Sequence, residues 1–138
     1  ALPIFDSLRR IEKEFGPRVA DLVDSVTEDK MKKLPPEATW RARKWQMIFR
    51  LRKADRDTLG ICLADNLSNL RELNRDYEII GDEIWERFNQ KDKAMQAWYY
   101  KEIRDIVKQK YEYEYYEEME EYANLIYPLF NQKEHFWE

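Results

Sequence analysis

Residues 57–75 constrain the fold of this chain more than any other stretch. Leu59, Cys62, Leu63, Asn66, Leu67, Leu70 and Leu73 recur at spacings of three and four. That rhythm gives a helix one broad apolar face, and a helix with such a face belongs at the centre of a helical assembly. Within it, the segment 61–73 reads as buried, with the carboxylate of Asp65 set between apolar neighbours. A carboxylate in such a place is costly unless a cation, a proton or hydrogen-bond donors compensate it.

The rest of the composition agrees with helices. The chain has 138 residues, the size of one domain with one core. It is 43% hydrophobic, enough to order the body, and holds three glycines among many Glu, Lys, Arg and Leu residues. A net charge of −4 argues against a nucleic-acid partner. The single cysteine, Cys62, excludes an intrachain disulfide and points to a reducing, cytoplasmic setting, where it is expected to be buried and inert. No apolar run approaches the ~20 residues of a membrane span, and no signal-peptide pattern opens the chain. Ala1 stands where a methionine would, which suggests a processed or trimmed start.

The expected elements follow in order. Asp6 caps a short helix over 6–14, with Leu8 and Ile11 on one face. Gly16 ends it, and Pro17 opens a second helix running to about Val26. Glu28 and Asp29 begin a polar loop across Pro35-Pro36, where their role is capping and solvation rather than a carboxylate pair. A third helix covers 37–52, with Trp40, Lys44, Met47, Ile48 and Leu51 inward. Asp55 and Asp57 offer caps for the central helix, and Asp76-Tyr77 ends it. A short helix with Ile79, Ile80, Ile84, Trp85 and Phe88 comes next, then a turn at 89–92. The last helix is extended and acidic, about 93–127, including the Tyr/Glu-rich segment 111–121. Pro128 ends it, leaving 128–138 as a tail, and the whole of 1–127 forms a single domain.

Several pieces, in this order and at these spacings, resemble the HD-domain phosphohydrolases, the superfamily that includes the RelA/SpoT-type guanosine-tetraphosphate hydrolases. They are Glu14 to Val23, Ser25 to Lys30, Trp40 to Lys44, Leu63 to Arg71, Ile84 to Phe88 and Trp98 to Glu102. The match covers the second half of that domain. It implies an all-α, HD-like helical bundle of five to seven helices and a nucleotide or phosphate-ester substrate. In such enzymes a His, a His-Asp pair and a later Asp hold a divalent metal, manganese or magnesium, that helps to generate a hydroxide. Asp65 matches the later Asp. The histidines would belong at or before Ala1, and His135 lies far from the expected position. As it stands the chain is therefore expected to be catalytically incomplete.

Further site residues follow from the same resemblance. Asn69 and Arg71 match positions near the nucleotide pocket, and Arg43 and Lys44, with Arg41 beside Trp40 and Trp45, could embrace a phosphate. Each has a second reading. Asp65 could simply pair with Arg71, Arg43 or another basic side chain, Asn69 could be a surface amide, and Arg71 a helix-surface ion-pair partner. The basic cluster could be a solvated face whose stems cover apolar surface. Trp85, Phe88, Trp98, Tyr99 and Tyr100 are read as core. A different class of function also fits: a non-enzymatic interaction module binding a protein partner, or a second copy as a homodimer, through 95–127.

Overall fold

In a computed structural model, residues 4–27 and 35–130 are described, with side chains from Leu8 onward. Six α-helices and one 3-10 helix make up these residues, with no strand among them: α1 (Ile4–Phe15), α2 (Pro17–Ser25), α3 (Pro36–Arg52), α4 (Arg56–Ile80), the 3-10 helix (Gly81–Arg87), α5 (Lys93–Tyr111) and α6 (Tyr116–Phe130). The chain is an all-α helical bundle, as its periodicity implies. No helix among the described residues is long and apolar enough to cross a membrane.

Local chemistry sets most boundaries. Gly16, at φ 91°, closes α1 by donating to the Glu12 carbonyl, and Pro17 starts α2 with a residue that needs no helical N–H. The helix begins at Ile4, so Asp6 lies inside the first turn rather than capping it. Asp55 is the cap of α4: its side chain accepts from the Thr58 N–H at 2.9 Å, and that bond holds its carboxyl below the usual range. Asp57 instead pairs with Arg18 of α2. Asp92 caps α5 through the Ala94 N–H.

Two expected boundaries are corrected. α4 does not stop at Asp76-Tyr77 but runs to Ile80, where Gly81 (φ 61°) supplies the left-handed turn and donates to the Tyr77 carbonyl. Ile79 and Ile80 therefore end α4 and are exposed, Ile79 at 81%, while Ile84 and Trp85 of the 3-10 helix are buried. The extended helix 93–127 is likewise two helices, turned at Glu112–Tyr115. The Tyr122 hydroxyl donates to the Tyr100 carbonyl at 2.7 Å, 22 residues away. One straight helix would hold them about 33 Å apart. Folding back brings Met119, Tyr122, Ala123, Ile126, Leu129 and Phe130 into the core. Pro128 lies inside α6, and its helix continues to carry Leu129 and Phe130 inward, with the Phe130 ring stacked on Trp85 at 5.4 Å.

The core lies where α4 meets α5, α6 and the 3-10 helix, and α3, packed against α5, adds Met47, Ile48 and Leu51 to it. The α1–α2 hairpin attaches through α2 to α4, and Ala20 is its buried residue.

Candidate functional site

A regular helix turns about 100° per residue, so each position on α4 has a predictable side. Leu59, Cys62, Leu63, Asn66, Leu70 and Leu73 fall on the core side and are buried. Asp65, Asn69, Glu72 and Asp76 recur at four, three and four residues and share one flank. Arg71, six residues after Asp65, comes out about 120° away on the opposite flank.

The cleft flank is open. Asp65 is exposed at the wall of a cleft of about 400 Å³, not enclosed among apolar side chains as the segment suggests. α3 contributes Trp40, Arg43, Lys44 and Met47 to this cleft; α4 contributes Cys62, Asp65, Asn66 and Asn69. Phe88 and Asn89, and Gln96, Tyr99 and Tyr100 of α5, complete its lining with Val26. Four of the five expected site residues thus meet in one place: Asp65, Asn69, Arg43 and Lys44.

Each of the cations is positioned. The Arg43 Nε donates to Thr39 Oγ1 at 3.1 Å, and its Nη2 to the Pro36 carbonyl at 3.1 Å. The Lys44 ammonium lies 4.7 Å from the Tyr99 ring centre and 5.7 Å from that of Trp40. Aromatic faces attract a cation there. The Cys62 thiol is pushed up to about 12, first by burial and then by the charge of Asp65. Burial, then Asp65, also pushes the Tyr100 phenol up to about 12. Both groups stay protonated at neutral pH. The Cys62 sulfur accepts from Asn66 Nδ2 at 3.8 Å.

Arg71 is the site residue that the structure moves elsewhere. Its Nε and Nη2 donate to Glu121 Oε1 and Oε2 of α6 at 2.5 and 2.9 Å, a two-pronged pair. It faces α6 because six residues of helix carry it around from Asp65. The expected alternative for Asp65, a pair with Arg71, is excluded by the same geometry. Nearby, Asn74 Nδ2 donates to both the Leu70 and the Leu125 carbonyls at 2.9 Å.

Helical spacing makes Tyr99 and Tyr100 read as plain core, so the sequence carries no direct sign of the aromatic wall. A signal was present in Asn66 and Gln96, polar residues at apolar-face positions; both are buried beside the cleft. Glu28, Asp29 and His135 lie outside the described residues.

A divalent metal of the manganese or magnesium type requires several hard oxygen ligands. Asp65 offers one carboxylate, and the Cys62 thiol keeps its proton. No group of three or more His, Cys, Asp or Glu residues that could hold a metal gathers among the described residues. On these residues the cleft does not fit a resident metal centre.

A solved structure, lmo0812 from Listeria monocytogenes EGD-e, is similar to this chain. The TM-score is 0.69 and the identity 28%, and the match covers 91% of this chain and 77% of that one. No protein-family model matches the chain. No curated protein matches it either.

Proposed function

We propose that this chain is an HD-like phosphohydrolase body whose Asp65 cleft binds a nucleotide or another phosphate ester. The observation that carries the reading is the meeting of Asp65, Asn69, Arg43 and Lys44 around one cavity of about 400 Å³. Cations supply phosphate affinity, the amide of Asn69 supplies direction, and Trp40 and Tyr99 supply apolar wall for a sugar or ring. Asp65 is the ligand position that the family likeness implies. Because one carboxylate does not make a metal centre, the described residues bind without hydrolysing. A divalent metal enters this reading only where further ligands accompany Asp65.

The test is manganese binding and release of phosphate from guanosine tetraphosphate by the full chain. The expected result is ligand binding without turnover. Turnover that disappears in Asp65→Ala would overturn the incompleteness of the site, and absence of any ligand binding would overturn the phosphate-ester reading.

A second reading has its own observation. Tyr113, at 91% exposure, and Tyr116 and Tyr127 stand outward at the α5–α6 corner and along α6 among glutamates, a surface suited to a protein partner or a second copy. Ala97, Ile103 and Val107 of α5 lie inside the bundle and take no part in such a surface. Sedimentation of the full chain at high concentration discriminates: a dimer that Tyr113→Ala dissolves supports the interaction module, and a monomer removes self-association.

A further inference from the structure

α3 carries a second apolar stripe that faces outward. Its inward side chains, Met47, Ile48 and Leu51, belong to the core. Arg41, Trp45 and Phe49 follow at four-residue steps on another side, with Arg52 and Lys53 one turn beyond, and all five are exposed. Phe49 is 56% exposed. Its ring lies 5.8 Å from that of Trp45 and 5.5 Å from the Arg52 guanidinium. An exposed aromatic pair rimmed by basic side chains has the composition of an interface.

The Tyr/Glu-rich corner between α5 and α6 has the opposite charge and the same aromatic character. Residues 111–121 hold six glutamates and no Lys or Arg. Tyr113 and Tyr116 are exposed there. Glu121 is paired with Arg71, while Glu114, Glu117, Glu118 and Glu120 stand exposed. The corner also lies beside the end of the stripe. Lys110 Nζ donates to the Ala54 carbonyl at 3.1 Å, and the Tyr115 hydroxyl to the Arg56 carbonyl at 2.7 Å. The turn is thus anchored on the short link that leaves α3 at Arg52.

We infer that the α3 stripe of one copy receives the Tyr/Glu-rich corner of a second copy, and the reverse, about a two-fold axis. This names the partner of the Tyr/Glu-rich surface and rests on the interaction-module reading. Two complementary patches side by side on one chain are what such an axis requires: one rotation lays each corner on the other copy's stripe and covers both. Glutamates then face Arg41 and Lys53, and exposed tyrosines face Trp45 and Phe49. A corner-to-corner dimer would instead set glutamates against glutamates. A net charge of −4 disfavours an anionic bilayer as the occupant of the stripe.

Sedimentation of the full chain and its variants tests this. The expected result is a dimer that loosens as salt is raised and that Phe49→Glu and Tyr113→Ala each weaken about tenfold. Arg41→Glu, which leaves both rings in place, weakens it as well. All three side chains are exposed, and circular dichroism checks that the fold is kept. Mixing the Phe49→Glu and Tyr113→Ala proteins is the sharper arm. The first keeps its corner and the second its stripe, so one of the two pairings returns. The mixture is expected to dimerise at a concentration where neither protein does alone, and a mixture that stays monomeric overturns the two-fold pairing. A dimer lost in Tyr113→Ala but untouched by Phe49→Glu and Arg41→Glu overturns the stripe as the partner and leaves the interaction module standing. A monomer at every concentration, or a dimer that ignores Tyr113→Ala, overturns the pairing together with self-association through the corner.

Discussion

The two flanks of α4 carry similar polar residues put to different uses. On one flank Arg71 and Asn74 are completed by α6: a carboxylate for the guanidinium, a backbone carbonyl for the amide. On the other, Asp65, Asn69 and Glu72 face open cavities, and no ion pair ties Asp65 to another described residue. Side-chain chemistry alone, then, did not decide which residues serve the fold. Position around the helix did, because the returning α6 covers one flank and leaves the other to solvent.

The contrast can be broken most forcefully on the covered side. Ile126 is fully buried on α6. Ile126→Ala is expected to cost about 2–5 kcal/mol in chemical unfolding, and a loss under half a kcal/mol, on the order of a surface change, would mean that α6 is not packed here. A smaller effect sits at the corner between α5 and α6. A Cβ on Gly60 would come within 3.0 Å of the Tyr115 ring carbon Cζ and closer still to its oxygen, which donates to the Arg56 carbonyl. Gly60→Ala should therefore destabilise by about 1 kcal/mol despite the better helix propensity of alanine. In a Tyr115→Ala background the same change should stabilise, and thermal unfolding of the four proteins reads both signs.

The Glu121 carboxyl is held below its ordinary 4.5, chiefly by the hydrogen bond from Arg71. A depressed folded value means its contribution is whole above about 4.5 and is lost as pH falls through the lower folded value. Acid unfolding of Glu121→Gln should accordingly begin from a lower plateau and lose less between those limits than the parent. The smallest effect belongs to the open flank: Asp65→Ala should change stability by no more than about 0.5 kcal/mol. A larger loss would make Asp65 a structural residue and erase the contrast.

Much of this was legible beforehand. The 59–73 periodicity placed the central helix and its buried face, and Gly16-Pro17 and Asp55 marked their boundaries by local chemistry. Asp65, Asn69, Arg43 and Lys44 read as candidates from the sequence, and they line one cleft. What misled was long-range. The Tyr/Glu-rich segment is helical on both sides, and nothing local shows that Tyr115 docks on Gly60 to turn the chain there. Pro128 reads as a stop, yet burial of Leu129 and Phe130 carries the helix past it. Arg71 sits close to Asp65 in sequence, but its partner is 50 residues away. Glu72, Asp76 and Arg87 carry no local sign of a shared cavity, which exists only once the 3-10 helix folds against α4.

The most direct measurement is the amide spectrum of the labelled chain titrated with guanosine 5′-phosphate. Saturable shifts confined to residues around 43–47, 65–76, 87–89 and 96–100, with the α6 side at Glu121 and Leu125 unmoved, are the expected result. Shifts centred on 112–127, or none at any ligand concentration, would contradict the claim that the uncovered flank of α4 is where this protein meets its ligand.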